Sequence, residues 1–148
     1  MRAILQKVSE AEVSVFNNIV SEIKGGLLIL LGVSVNDTKI EAEKLAKKIS
    51  GLRIFTDSDD KLNFSVLDVK GEILAVSQFT LYADCRKGRR PSFIEAAPGE
   101  KALPLFEYFV ALLEQEGLPV KKGVFGEHME VKLINDGPTT IILDSEAC

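Results

Sequence analysis

The 148-residue chain holds a single histidine, His128, and only two cysteines, Cys85 and Cys148. One histidine rules out two-histidine metal motifs and leaves the familiar hydrolase triads resting on that residue alone. In GEHMEVK it stands beside an expected strand, where the ordinary role is an exposed or locally hydrogen-bonded ring. The cysteines are far apart and form no CxxC, so neither a disulfide framework nor a thiolate zinc site is expected, and a reducing cytosol fits. No metal and no cofactor is called for.

Long hydrophobic runs are also missing. Gly25 to Val35 is the longest apolar stretch, about half of what a membrane-spanning helix needs, and no cleavable signal pattern is visible. The expectation is a soluble, cytoplasmic protein with no membrane partner. Neither is there an excess of positive charge: the formal net charge is −4, which argues against a general nucleic-acid coat and leaves only local patches. No Ser/Gly linker, repeat or low-complexity tract divides residues 1–148, so a single domain is expected, large enough for a core without staples.

What is present is a run of β-forming segments with two helical stretches. Arg2 to Val8 and Glu12 to Phe16 read as strands, Asn17-Asn18 as a hairpin turn into Ile19 to Ile23, and Leu27 to Val35 as a further strand. From Asp37 or Thr38, either able to cap, the apolar stripe Ile40, Leu45 and Ile49 predicts a helix ending near Gly51. Leu52 to Thr56 reads as a short strand, and Glu72 to Phe79 as a strand buried on both faces. Pro98, Gly99 and Pro104 flank a second helix running to Glu116 on Leu105, Phe106, Phe109, Leu112 and Leu113. Three strands follow, Val120 to Gly123, Glu130 to Asn135 and Thr139 to Leu143, with NDGP as the turn between the last two. Two helices against about eight strands imply an α+β layered fold, the helices covering one sheet that packs on another.

Chemistry concentrates in three places. Ser77, Gln78 and Thr80 of SQFTLY bring two hydroxyls and an amide to a strand end, with Gln78 and Thr80 on one face by alternation. Such groups orient an ester and, with backbone N–H groups, stabilise an oxyanion; an ordinary polar strand end is the plainer reading. Thr80 has no adjacent base to activate it as a nucleophile. NDGPTT, Asn135 to Thr140, is a strong turn signal; its glycine also permits close backbone approach to a ligand, and its X-Pro bond is where a cis peptide costs little. Between them Arg86, Lys87, Arg89 and Arg90 place four positive charges within five residues, either solvated loop charge or phosphate contacts.

These motifs, with MRAILQKV, GLLILLGVSVNDT, KGRRPSF and FGEHMEVKLINDGPTTIILDS, resemble the D-aminoacyl-tRNA deacylases of the bacterial and eukaryotic type along the whole chain. The resemblance implies a homodimeric enzyme of three-layer α/β/β fold, mostly antiparallel, with two main helices. Its reaction is hydrolysis of the ester of D-aminoacyl-tRNA, and of mischarged glycyl-tRNA, as chiral proofreading in translation quality control. By direct match, Ser77, Gln78, Phe79 and Thr80 line the pocket for the terminal adenosine and the ester. Gly137-Pro138, with a cis peptide, reaches into the partner subunit's site and excludes L side chains. Asn135, Phe125 and Met129 belong to the substrate pocket, and Arg86, Lys87, Arg89 and Arg90 to tRNA contact, with no role for DNA. The terminal ribose 2′-hydroxyl assists the attack of water, with a backbone N–H near Phe79 as oxyanion donor. Glu127 departs from the family pattern, where a small alanine is common. Two other readings stay open: a non-catalytic RNA-binding module using the basic loop, and a hydrolase of small D-amino-acid esters or peptides.

Overall fold

The computed structural model describes residues 1–148. The first strand, β1 (Arg2–Val15), is the organising element, running as one strand through the two segments read from the sequence. A tight hairpin at Phe16-Asn17, both at positive φ (49° and 63°), returns the chain into β2 (Asn18–Ile23). Two successive left-handed residues match the right-handed twist of the paired strands. The turn therefore sits one residue earlier than Asn17-Asn18.

β3 (Gly26–Gly32) pairs antiparallel with the first half of β1, from Arg2 against Gly32 to Val8 against Gly26. β2 pairs with its second half, and β8 (Glu130–Asp144) runs antiparallel along nearly its whole length on the other side. β6 (Glu72–Ser77) and β7 (Val120–Lys122) extend the sheet in parallel, β3 against β6 and β6 against β7. A small antiparallel pair, β4 (Phe55–Thr56) and β5 (Leu62–Phe64), stands apart. Four of the six strand pairings are antiparallel.

Helix α1 (Lys39–Ser50) begins at a capping box: Thr38 Oγ1 accepts from Ile40 N, and the Glu41 carboxylate accepts from Thr38 N at 2.7 Å. Those two bonds satisfy amides that a helix start leaves open; the Thr38 hydroxyl, donating to Glu41 at 2.7 Å, and the Thr38 N–H hold the Glu41 carboxyl below its usual range. Helix α2 (Gly99–Gln115) starts after Pro98, and Pro104 lies inside it rather than at its flank. Both helices cover one face of the sheet, burying Leu45 and Ile49 of α1 and Phe106, Phe109 and Leu113 of α2 against Leu5, Ile29 and Ile73.

Alternation along the strands separates two cores. In β3 and β6, Leu27, Ile29, Ile73 and Ala75 face the helices, while Leu28, Leu74 and Val76 face away into a second cluster. β1 belongs to both: Ala3 and Leu5 pack under the helices, but Ala11 and Val13, of the same parity, pack in the second cluster. Val8, of the opposite parity, already lies in the second cluster, so the change falls at the later of two slips in the pairing with β8, between Val8 and Glu10 rather than between Gln6 and Val8. A bulge bends a strand and re-aims its side chains. Here it folds one continuous sheet over itself, giving helices, sheet and sheet in three layers without a separate second sheet.

Three local expectations are corrected. Leu52 to Ile54 lie outside β4. The strand read as Glu72 to Phe79 stops at Ser77, and Phe79–Tyr82 form a 3₁₀ turn. NDGP joins no pair of mutually hydrogen-bonded strands, because Glu130 to Asn135 and Thr140 to Asp144 both pair with β1 and form one strand, β8. Five residue steps of β8 face only two of β1 here, so the surplus loops outward.

Gly26 sets how closely β3 and β6 approach, since a Cβ there would stand 1.9 Å from the Glu72 carbonyl oxygen. Gly26→Ala is therefore expected to destabilise the fold by about 3 kcal/mol, read as a lowered denaturant midpoint with unchanged m-value. An unchanged midpoint contradicts this packing.

Candidate active site at the ends of the parallel strands

β3, β6 and β7 run parallel, and a cavity of about 370 Å³ opens beyond their carboxyl ends. That edge is where strand ends leave unpaired backbone and diverging loops, the usual place for a ligand beside parallel strands. Leu31 of β3 and Val33 just past it close one side, Val76 and Ser77 of β6 with Gln78 and Phe79 beyond its end another, and Phe125 to Met129 a third from the segment after β7. Gly99, Ala102 and Phe106 of α2 form a further wall, and Ala97 and Val131 complete it. Backbone bonds hold these pieces: Ala97 N donates to Val33 O at 2.9 Å, and Gly123 N to Ala75 O at 2.9 Å. Gly123 leaves room for Met129, whose Sδ would lie 2.6 Å from a Cβ at that position.

The 3₁₀ turn is fixed from behind. Gln78 N donates to Leu31 O at 2.8 Å, and Arg2 Nη1 donates to Leu81 O at 3.1 Å while its guanidinium lies 4.6 Å from the Tyr82 ring centroid. Arg2 Nε is held in turn by Asp144 at 2.9 Å. Gly32 permits the turn to sit against β3, since a Cβ there would meet Gln78 O and Leu81 Cβ, both at 3.0 Å.

Gln78 and Thr80 come together as expected, but through the turn and not through strand alternation: Gln78 Nε2 donates to Thr80 Oγ1. The N–H groups opening the turn have no side-chain cap, and first-turn amides lack partners within their own helix. They remain free to meet an anionic oxygen. Phe79, 57% exposed, packs edge-on against Phe93 with ring centroids 5.0 Å apart, an apolar platform at the cavity.

Ser77, Gln78, Phe79, Phe125 and Met129 thus share one cavity, while Thr80 lies just outside its wall. Asn135, Gly137 and Pro138 do not reach the cavity of their own chain. They form the outward excursion of β8, where Asn135 Oδ1 accepts from Thr139 N and Asn135 Nδ2 donates to Thr140 Oγ1, both at 3.0 Å. The Gly137-Pro138 peptide is cis. Gly137 has φ +126° and would place a Cβ 2.6 Å from Thr139 Oγ1, so only glycine fits. Lys7, nearly buried, sets its ammonium 3.3 Å from Asp136.

The basic loop is exposed and closed by paired backbone bonds between Asp84 and Ser92. Its four cations are not equivalent. Arg86 donates from Nε and Nη2 to the two carboxylate oxygens of Asp84, both at 2.8 Å, and these bonds pull Asp84 down to about 2. Lys87, Arg89 and Arg90 make no ion pair.

Two lining residues were not assigned from the sequence. His128, read there as an ordinary exposed ring, belongs to the cavity wall, and so does Glu127, whose departure from the family pattern bears on the shape or charge of the pocket near Phe125 and Met129 without a role of its own being assigned. The available signal was their position between Phe125 and Met129. The wall from α2 was hidden for a different reason: Phe106 carries the helical stripe of a core residue, and Gly99 and Ala102 carry no chemistry of their own.

Known proteins are similar to this chain along nearly its whole length. Residues 4–144 match the family model described as D-Tyr-tRNA(Tyr) deacylase. The D-aminoacyl-tRNA deacylase of Thermotoga petrophila is 58% identical over 145 residues, covering 98% of this chain and 97% of that one. The enzyme of the same name from Thermus aquaticus is 53% identical, covering 98% and 95%. Among solved structures, a c-Myc DNA Unwinding Element Binding Protein superposes with TM-score 0.91 at 41% identity, covering 97% of this chain and 98% of its own. A probable eukaryotic D-amino acid tRNA deacylase shares the fold, with TM-score 0.82 at 16% identity and 96% and 97% coverage. The chain belongs to the D-aminoacyl-tRNA deacylase family, enzymes named for hydrolysing an ester bond.

Proposed function

We propose that this protein hydrolyses the ester joining a D-amino acid to tRNA, releasing the free amino acid and tRNA, with glycyl-tRNA as a further substrate. The observation that carries the reading is the single cavity into which Ser77, Gln78 and Phe79 converge with Phe125 and Met129. Its apolar walls suit a nucleoside, and the polar strand end suits an ester. The free amides at the start of the 3₁₀ turn serve as oxyanion donors, and Gln78 and Thr80, bonded to each other, position the ester. No side-chain base accompanies Thr80, so the ribose 2′-hydroxyl of the substrate assists the attacking water.

The Gly137-Pro138 excursion supports assembly as a homodimer. It is exposed, distant from the cavity of its own chain, and flanked on β8 by Ile134 and Ile142, which are 55% and 73% exposed. In an isologous pair each excursion enters the other's cavity and leaves no space for an L side chain. The surroundings of such a reaction are the cytoplasm, where aminoacyl-tRNA is used; no helix is long and apolar enough to cross a membrane.

D-Tyrosine is expected to be released from D-tyrosyl-tRNA much faster than L-tyrosine from the L-ester; equal rates, or none, sink the reading. Thr80→Ala is expected to retain measurable activity, losing at most about 10²–10³-fold as for one supporting contact. Complete loss in a folded variant, or an acyl-enzyme trapped on Thr80, makes Thr80 a nucleophile instead. For tRNA contact, replacing Lys87, Arg89 or Arg90 by alanine should each reduce the slope of log K against log salt by about 0.7–0.9. Arg86→Ala should change it less, because Asp84 already answers that charge. Slopes unchanged in all four variants remove the loop from the tRNA interface.

A further inference from the structure

Sixteen residues line the cavity, ten of them hydrophobic, and Glu127 is the one among them that carries a formal charge at neutral pH. Its carboxylate enters no ion pair and no side-chain hydrogen bond; only its backbone N–H is engaged, donating to Val124 O at 3.3 Å. Glu127 is itself exposed, so solvent and salt screen it in part, yet it stands on the cavity wall and its field reaches what the cavity holds. A weaker opposing field comes from α2, whose N-terminal turn borders the same space through Gly99 and Ala102. A helix start is equivalent to about half a positive charge. The full charge of Glu127 outweighs it, so the cavity is more negative with the carboxylate than without it.

We propose that Glu127 is a specificity-determining residue that makes this enzyme discriminate against D-aminoacyl esters with anionic side chains. The inference rests on the cavity being the ester site. Every aminoacyl ester shares the adenosine and the α-amino group, so a carboxylate acting on those parts changes all substrates alike. Only a charge that differs between substrates is sorted. Two unit charges about 10 Å apart, at an effective dielectric between about 20 and 80, shift a rate by about two- to fifteenfold.

The test uses one tRNA acylated either with D-aspartate or with its near-isostere D-asparagine, and reads the ratio of kcat/KM for the two esters. In Glu127→Gln the ratio should move toward the aspartyl ester by about two- to fifteenfold, and in Glu127→Lys further. Glu127→Asp should keep the native ratio, as should Glu130→Gln, an exposed carboxylate outside the cavity. Raising salt should shrink the native discrimination. An unchanged ratio in Glu127→Gln and Glu127→Lys, or equal changes for both esters, overturns the proposal. If the native protein cleaves D-tyrosyl-tRNA while the ratio is indifferent to Glu127, only this inference fails. If it cleaves no D-ester, the deacylase reading fails first and takes the inference with it.

Discussion

One strand with three partners sets the geometry of this molecule. β1 gives one edge to β8 and shares the other between β3 and β2, so each of these strands takes its register from β1. The slip near Val8 moves its odd-numbered side chains from the helix-facing core to the second one. Register matters this much because the side-chain period of a strand is two, and a shift by one residue exchanges its faces. The adjacent slip, between Gln6 and Val8, creates the surplus in β8 that becomes the Gly137-Pro138 excursion. Layering and outward loop thus arise at neighbouring steps of one pairing.

The cavity depends on a second consequence of that arrangement. β3 lies between β1 and β6, and from β3 onward the pairing is parallel, so three strands end at one edge. Each chain leaving that edge turns differently: from β3 toward α1, from β6 into the 3₁₀ turn, and from β7 into the glycine-bearing segment before β8. Divergence leaves space, and small residues at Gly32, Gly99 and Gly123 keep it open or let its walls come close. The polar groups stand where the strand stops because there the backbone amides are no longer used by the sheet.

Electrostatics divides the surface from the interior of the site. The basic loop presents three unpaired cations to solvent, with Arg86 spent on Asp84. The cavity instead carries a single uncompensated carboxylate. The loop and the cavity wall thus carry charge of opposite sign. Charge counted over the whole chain, −4, conceals this separation.

Local chemistry was legible in the sequence wherever neighbours in the chain decide it. Thr38 with Glu41 announces a helix start, the apolar stripes announce two helices, and SQFT and NDGP mark unusual polar ends, because capping, periodicity and turn preference act over a few residues. The motifs together also carried the family. Which residues meet was decided by packing. A strand reading of Ser77 to Thr80 could not foresee the 3₁₀ turn, which is held by Leu31, Arg2 and Gly32 from distant parts of the chain. A hairpin reading of NDGP could not foresee that both of its flanks pair with β1. Glu127 and His128 became cavity residues only when β7 docked beside β6. Those outcomes depend on contacts between residues far apart in sequence, formed when apolar faces are buried together, and no local preference encodes them.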